Sequence, residues 1–203
     1  MKLSTVQADA IQELGNIGAA HAATTLSLML GSTIEMSVPA INVIDLSQLG
    51  TYMGEESAAI VVFELQGEIA HGGYILFYIT RESAVRMTNT ILGMTEINRP
   101  LSEMDQSALL EVGNIMVSAF LDATAELLGI IMLPSPPALT IDMAHAVMQS
   151  LIAQMQEETN EVLLFSTELV CREYKIDSDI IMMPERSTLL RIIELLENMM
   201  KGS

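Results

Sequence analysis

Two pairs of side chains in this sequence have the types and spacing to do chemistry: Glu13 with Asn16, and Glu111 with Asn114. Residues three apart are neighbours on a helix surface, so each pair would present a carboxylate beside a carboxamide. The carboxylate can receive a cation, while the carboxamide carries both donor and acceptor and can orient a water without ionising. The pairs lie in matching runs, Glu13-Leu14-Gly15-Asn16-Ile17 and Glu111-Val112-Gly113-Asn114-Ile115. Both runs have helical apolar spacing, where a Gly costs about 1 kcal/mol relative to Ala and an Asn is also disfavoured. One local rule broken twice in the same way points to a site. Close approach, of a sheet behind or of a partner in front, would account for Gly15 and Gly113. Asp9 and Ser107 lie one turn earlier on the same faces. A single Glu-x-x-Asn is an ordinary solvated pair, and duplication preserves packing as readily as function. Spacing alone therefore gives two equivalent polar sites whose function stays open.

Two long helices must carry these pairs. The first is expected over Ser4 to Leu30, with Ser4 as N-cap and Gly31 as the stop. At about 100° per residue, Leu3, Ile11, Leu14, Ile17, Leu28 and Met29 gather on one side. Asp9, Glu13, Asn16, Ala20, Ala23 and Ser27 gather on another, which is polar and then small, as in an exposed groove. Ser102 opens the second helix, with Glu103 and Asp105 favourably placed in its first turn, and Gly129 ends it after Leu128. Short strands are expected around Ile34 to Val38, Ile41 to Leu46, Ile130 to Leu133 and Ala138 to Ile141. Longer ones are expected at Ala58 to Leu65, Glu68 to Thr80, Val162 to Val170 and Glu173 to Met183. Arg81 to Leu92, Met143 to Met155 and Ser187 to Met200 have helical spacing.

The second half repeats the first. An offset of 98 pairs Glu13 with Glu111, Asn16 with Asn114, Gly31 with Gly129 and Pro39 with Pro137; later the offset becomes 104, pairing Glu64 with Glu168 and Leu92 with Leu196. The change falls where Ser47 to Glu56 is replaced by Met143 to Met155. The most economical architecture is α+β: a single domain over residues 1–203, with repeats of about 1–97 and 98–203 related by a pseudo-twofold. It would share one antiparallel sheet, with the two long helices packed side by side on it.

Half the residues are apolar, ample for a core, but the net charge of −17 with nine scattered Lys and Arg excludes nucleic acid as a natural partner. The one cysteine, Cys171, rules out an internal disulfide and reads as a small strand side chain. No secretory signal is read at the start, so a cytoplasmic location is expected. Leu14 to Ile34 carries no formal charge, but Asn16, His21, Thr24, Thr25 and Ser27 interrupt it, and no membrane insertion is expected. His21, His71 and His145 lack zinc-ligand spacing.

Asp9-x-x-x-Glu13-x-x-Asn16, with its Glu-Leu-Gly-Asn-Ile-Gly-Ala-Ala run, resembles the CheC/CheX/FliY family of chemotaxis phosphatases. Ser107-x-x-x-Glu111-x-x-Asn114 fits the same Asp-or-Ser pattern. The resemblance covers nearly the whole chain and is strongest to the stand-alone CheC branch. It implies hydrolysis of the acyl phosphate on the receiver aspartate of phosphorylated CheY. Asn16 and Asn114 would enter the receiver's active site and orient the attacking water, and Glu13 and Glu111 would contact its lysine. The Mg²⁺ would be the receiver's, with no cofactor or metal in this chain. CheD is a second implied partner, through Ile141-Asp142-Met143 and the following helix; a helix covering the sheet edge is the plain alternative there. Ala20-His21 departs from the Gly-Asn that relatives often carry, and helical stepping puts His21 toward the apolar side as a core histidine. A monomer is expected. The rival from another class is a non-catalytic adaptor that binds CheD or the phosphorylated regulator, or a flagellar-switch-like module.

Overall fold

The computed structural model describes residues 4–38, 42–45, 48, 56–68, 72–155 and 161–202. The first repeat supplies α1 (Thr5–Leu30), β1 (Glu35–Ser37), β2 (Asn42–Asp45), β3 (Ser57–Gly67), β4 (Gly73–Thr80) and α2 (Arg81–Leu92). The second supplies α3 (Glu103–Leu128), β5 (Met132–Pro134), β6 (Ala138–Met143), α4 (Ala144–Ile152), β7 (Glu161–Cys171), β8 (Ile176–Pro184) and α5 (Arg186–Gly202).

The sheet runs β1-β7-β8-β4-β3-β5, with β2 also on β7 and β6 also on β3. All its pairings are antiparallel. Its organisation is an exchange: β1 and β2 pair with β7 of the other repeat, while β5 and β6 pair with β3. At the centre β4 pairs with β8, from Gly73 opposite Pro184 to Ile79 opposite Ser178. This is the α+β architecture expected, pseudo-twofold about the β4–β8 seam, with α1 and α3 side by side on one face.

Strand alternation sorts the apolar side chains to the two faces. Val61, Phe63, Ile75, Phe77, Ile180 and Met182 join buried residues of α1, α2, α3 and α5 in the main core. Ile60, Leu76, Ile181 and Met183 point the other way and pack with Ala144, Met148 and Leu151 of α4. The helix α4 thus covers a sheet face rather than an edge.

Three strand boundaries differ from expectation for identifiable reasons. β3 continues through Gly67 because its end pairs with Met132 of β5, and β4 begins at Gly73 rather than Glu68. β5 starts at Met132 because the cap of α3 extends past Gly129, with the Ile130 N–H donating to the Ala125 carbonyl at 3.2 Å. Pro39 and most of Ser47 to Glu56 lie outside the described residues.

Candidate functional site

Each long helix begins with a capping box. The Ser4 Oγ accepts from the Gln7 N–H at 3.2 Å, and the Gln7 side chain returns to the Ser4 N–H at 2.9 Å. Ser102 and Asp105 repeat the arrangement at the start of α3. The residue at the equivalent third position also anchors each helix to a neighbour. Gln7 Nε2 donates to Glu197 Oε1 of α5 at 3.0 Å. Asp105, fully buried, takes two charge-assisted bonds from Arg99 at 2.6 and 2.7 Å, and Arg99 also donates to Asn89 Oδ1 of α2 at 2.8 Å. The Arg99 guanidinium holds the Asp105 carboxyl well below the usual carboxylate range. Both helices end at a glycine in the left-handed region, Gly31 and Gly129 at φ 65°.

Gly113 faces the sheet, and Gly15 faces the residue just past β1. A Cβ at Gly113 would lie 2.8 Å from the Val61 Cβ of β3, and one at Gly15 would lie 3.2 Å from Val38 Cγ1. Gly18 faces α3, where a Cβ would come within 2.7 Å of the Phe120 ring. With Ala19 and Ala22 buried beside it, Gly18 lets α1 and α3 approach closely. These contacts decide the open question about Gly15 and Gly113: they serve close packing behind, and so leave the Glu and Asn on the outward side.

Glu13 and Glu111 are exposed, and Asn16 and Asn114 are partly buried at the edges of their faces. On α1 the Asn16 Nδ2 donates to Glu13 Oε2 at 3.3 Å, so the carboxylate orients the amide. Asp9 and Ser107 are both exposed, and the Ser107 Oγ donates to its own helix at the Glu103 carbonyl, 3.0 Å away. The structure thus places Asp9, Glu13 and Asn16 along one face of α1, and Ser107, Glu111 and Asn114 along one face of α3.

Asp142 stands apart from both faces, exposed on β6 at the start of α4, where its Oδ1 accepts from the Met143 N–H at 2.7 Å. Its neighbours Ile141 and Met143 are also exposed. Among the described residues no group of three His, Cys, Asp or Glu side chains could hold a metal ion, and His71 lies outside them.

The expected apolar side of α1 needs correction. Leu28 is 81% exposed and His21 is exposed, so His21 is not a core histidine. The buried stripe is Ile11, Leu14, Gly15, Gly18, Ala19, Ala22, Ala23, Leu26 and Leu30. Small residues at a close helix crossing weigh little in a hydropathy reading, which draws the apparent apolar face toward bulkier side chains that in fact point outward.

Two further residues belong to the candidate faces. Val6 is 59% exposed and Met104 is 65% exposed, each seven residues before its Glu. The repeat offset and the seven-residue helical spacing together were the signal that could have found them. Of the described helices, α3 is long and apolar enough to cross a membrane, but 56% of its most apolar window is buried inside the fold, as a core helix requires.

Comparison with known proteins locates the same two regions. The CheC-like family model matches residues 6–43 and 104–141, once in each repeat, so that both Glu-Asn pairs fall inside a match. A Bacillus subtilis protein named CheY-P phosphatase CheC is 25% identical over 186 residues, covering 88% of each chain. The CheC1 protein of Halobacterium salinarum is 29% identical over 184 residues, covering 90% of this chain and 92% of its own. In fold, the crystal structure of Thermotoga maritima FliY superposes with a TM-score of 0.79 at 22% identity, covering 98% of this chain and 99% of that one.

Proposed function

We propose that this chain, CheC-like in both of its repeats, is a phosphatase of phosphorylated CheY-type receiver domains. The observation that carries this reading is the paired presentation of a Glu and an Asn on exposed faces of α1 and α3, each inside a match to the family. The relatives' names supply the substrate class.

In this proposal a helix face docks over the receiver's phosphorylated aspartate. Glu13 or Glu111 accepts from the receiver's lysine and fixes the register. Asn16 or Asn114 reaches the phosphoryl group, and its amide holds a water in line with the scissile bond. The water oxygen bonds to phosphorus as the bond to the aspartyl oxygen breaks, releasing the carboxylate and inorganic phosphate. The side chain supplies positioning rather than a proton, as the water-orienting Gln of GTPases does. The Mg²⁺ of this reaction is the receiver's. The 3.3 Å bond from Asn16 to Glu13 supports the scheme, because one contact that fixes the Glu also restricts the amide beside it.

CheD is proposed as a second partner, at Asp142 and the exposed Ile141 and Met143 around it. Its footprint lies on β6 and the start of α4, leaving α1 and α3 free for the receiver.

Turnover tests the phosphatase reading. With this chain at one-tenth the concentration of the phosphorylated receiver, all of the phosphate should be released faster than the receiver loses it alone. A chain that merely held the receiver would give no release beyond the receiver's own rate.

A further inference from the structure

The two candidate faces share the Glu-Asn pair, differ one turn before it, where Asp9 on α1 answers Ser107 on α3, and differ again beyond it. On α1, His21, Thr24 and Leu28 follow Asn16; at the same offset of 98, α3 carries Ala119, Asp122 and Glu126. On a helix, Glu13, Thr24 and Leu28 fall within a sector of about 60°, and so do Glu111, Asp122 and Glu126. Thr24, Leu28, Asp122 and Glu126 are all exposed. The divergent residues of this sector begin about 12 Å along the helix from the Asn and reach about 18 Å, within the footprint of a partner centred on the Asn.

We infer that the two faces bind a phosphorylated receiver by different chemistry, apolar at α1 through Leu28 and electrostatic at α3 through Asp122 and Glu126. This rests on the function proposed above. Leu28 has no packing role at 81% exposure, and it is the most exposed large apolar side chain among the described residues. It is therefore available to fill an apolar pocket on the partner. From Asn16 to the end of α1 no formal negative charge accompanies it. On α3, Glu111, Asp122 and Glu126 form a line of three carboxylates that needs a basic strip on the partner; a neutral or acidic one is rejected. The repeats thus hold one reaction geometry behind two specificity filters. A receiver with an apolar docking face and one with a basic docking face would be served at different sites.

Single-site forms separate the two chemistries. Asn114→Ala leaves the α1 site working, and Asn16→Ala leaves the α3 site working. With a basic-faced receiver, raising salt from about 50 to about 400 mM should raise KM at the α3 site about fivefold or more. At the α1 site, where Asp9 and Glu13 lie on the face but no carboxylate follows Asn16, the change should be smaller, about twofold. Exchanging the filters tests the residues themselves. Thr24→Asp with Leu28→Glu in the Asn114→Ala form should transfer the salt dependence to α1, and Asp122→Thr with Glu126→Leu in the Asn16→Ala form should abolish it at α3. Each exchange places a residue that the equivalent position already tolerates, and thermal unfolding checks that the variants fold. Equal salt dependence in the two single-site forms, or no transfer on exchange, overturns the inference. Affinity for a beryllofluoride-loaded receiver is read in parallel with the other face blocked for docking, by Met104→Asp when α1 is read and by Val6→Asp when α3 is read. Salt-split binding without turnover would sink the phosphatase reading and sustain this one, whereas no binding at either face would sink both.

Discussion

Gly113 is pressed against Val61: a Cβ at position 113 would lie 2.8 Å from the Val61 Cβ and within 3.0 Å of both its methyl carbons. A β-branched side chain fixed in a central strand cannot turn aside, so Gly113→Ala must push α3 off the sheet. The gain in helix propensity is about 1 kcal/mol and overpacking costs about 1 to 3. Gly113→Ala should therefore lower stability by up to about 2 kcal/mol, read as a lower urea midpoint at unchanged slope. Gly15→Ala, with 3.2 Å to a single methyl carbon of Val38, should stay within about 0.5 kcal/mol of the parent. Because Asn114 adjoins Gly113, the Gly113 variant should also lose activity at the α3 site several-fold while the α1 site keeps its rate.

The helices and their ends were legible in the sequence because caps are local. Ser4 and Gly31, Ser102 and Gly129 lie where their side chains or backbone conformation act. The exchange of strands was not legible. Which of β3 and β7 receives β1 and β5 depends on contacts more than 60 residues apart, such as Met36 opposite Leu169 and Gly67 opposite Met132. The polar pairs could be found from spacing and recurrence. The reason for their glycines could not, since Val61 is remote in the chain from Gly113 and only the fold brings them together. His21 and Leu28 were misplaced because the α1–α3 crossing is built from Gly18, Ala19 and Ala22, which a count of large apolar residues passes over.

The exposed Val6 and Met104 provide a test of docking that leaves the folded core alone. Both lie in the first turn of a helix, where an added carboxylate favours the dipole, so Val6→Asp and Met104→Asp should not destabilise the chain. If the faces dock a receiver through these side chains, each substitution should raise KM at its own site by about tenfold with kcat little changed. Steady-state decay of phosphorylated receiver in single-site forms provides the measurement. An unchanged KM would remove both residues from the docking surface.

Asp179 sets a pH dependence of stability. It lies on β8 opposite Glu168 of β7 and Tyr78 of β4, with the Ser166 Oγ donating to its Oδ1 at 3.4 Å. Burial, with a smaller contribution from Glu168, raises its pKa to about 6 from an ordinary value of 3.8. The native state therefore keeps the proton that the unfolded chain releases. The resulting stability is fully present below about pH 4 and is lost as pH rises through about 6, a change on the order of 3 kcal/mol. Asp179→Asn should raise stability at pH 7.5 and flatten that part of the profile. Denaturation midpoints at pH 4, 5, 6 and 7.5 would show it, and a variant no more stable than the parent at pH 7.5 would count against the assignment.

The central claim is that Asn16 and Asn114 place the attacking water. The direct measurement is the decay of a phosphorylated CheY-type receiver with the parent chain, Asn16→Ala, Asn114→Ala and the double variant. Both asparagines are partly buried side chains on helices, where Ala favours the fold, and thermal unfolding of each variant separates a loss of activity from unfolding. The expected result is acceleration by the parent, partial loss in each single variant, and decay at the receiver's own rate with the double variant. Its affinity for the receiver should meanwhile stay within about threefold of the parent's, the interfacial contacts being otherwise intact. Acceleration by the double variant equal to that of the parent would contradict the account.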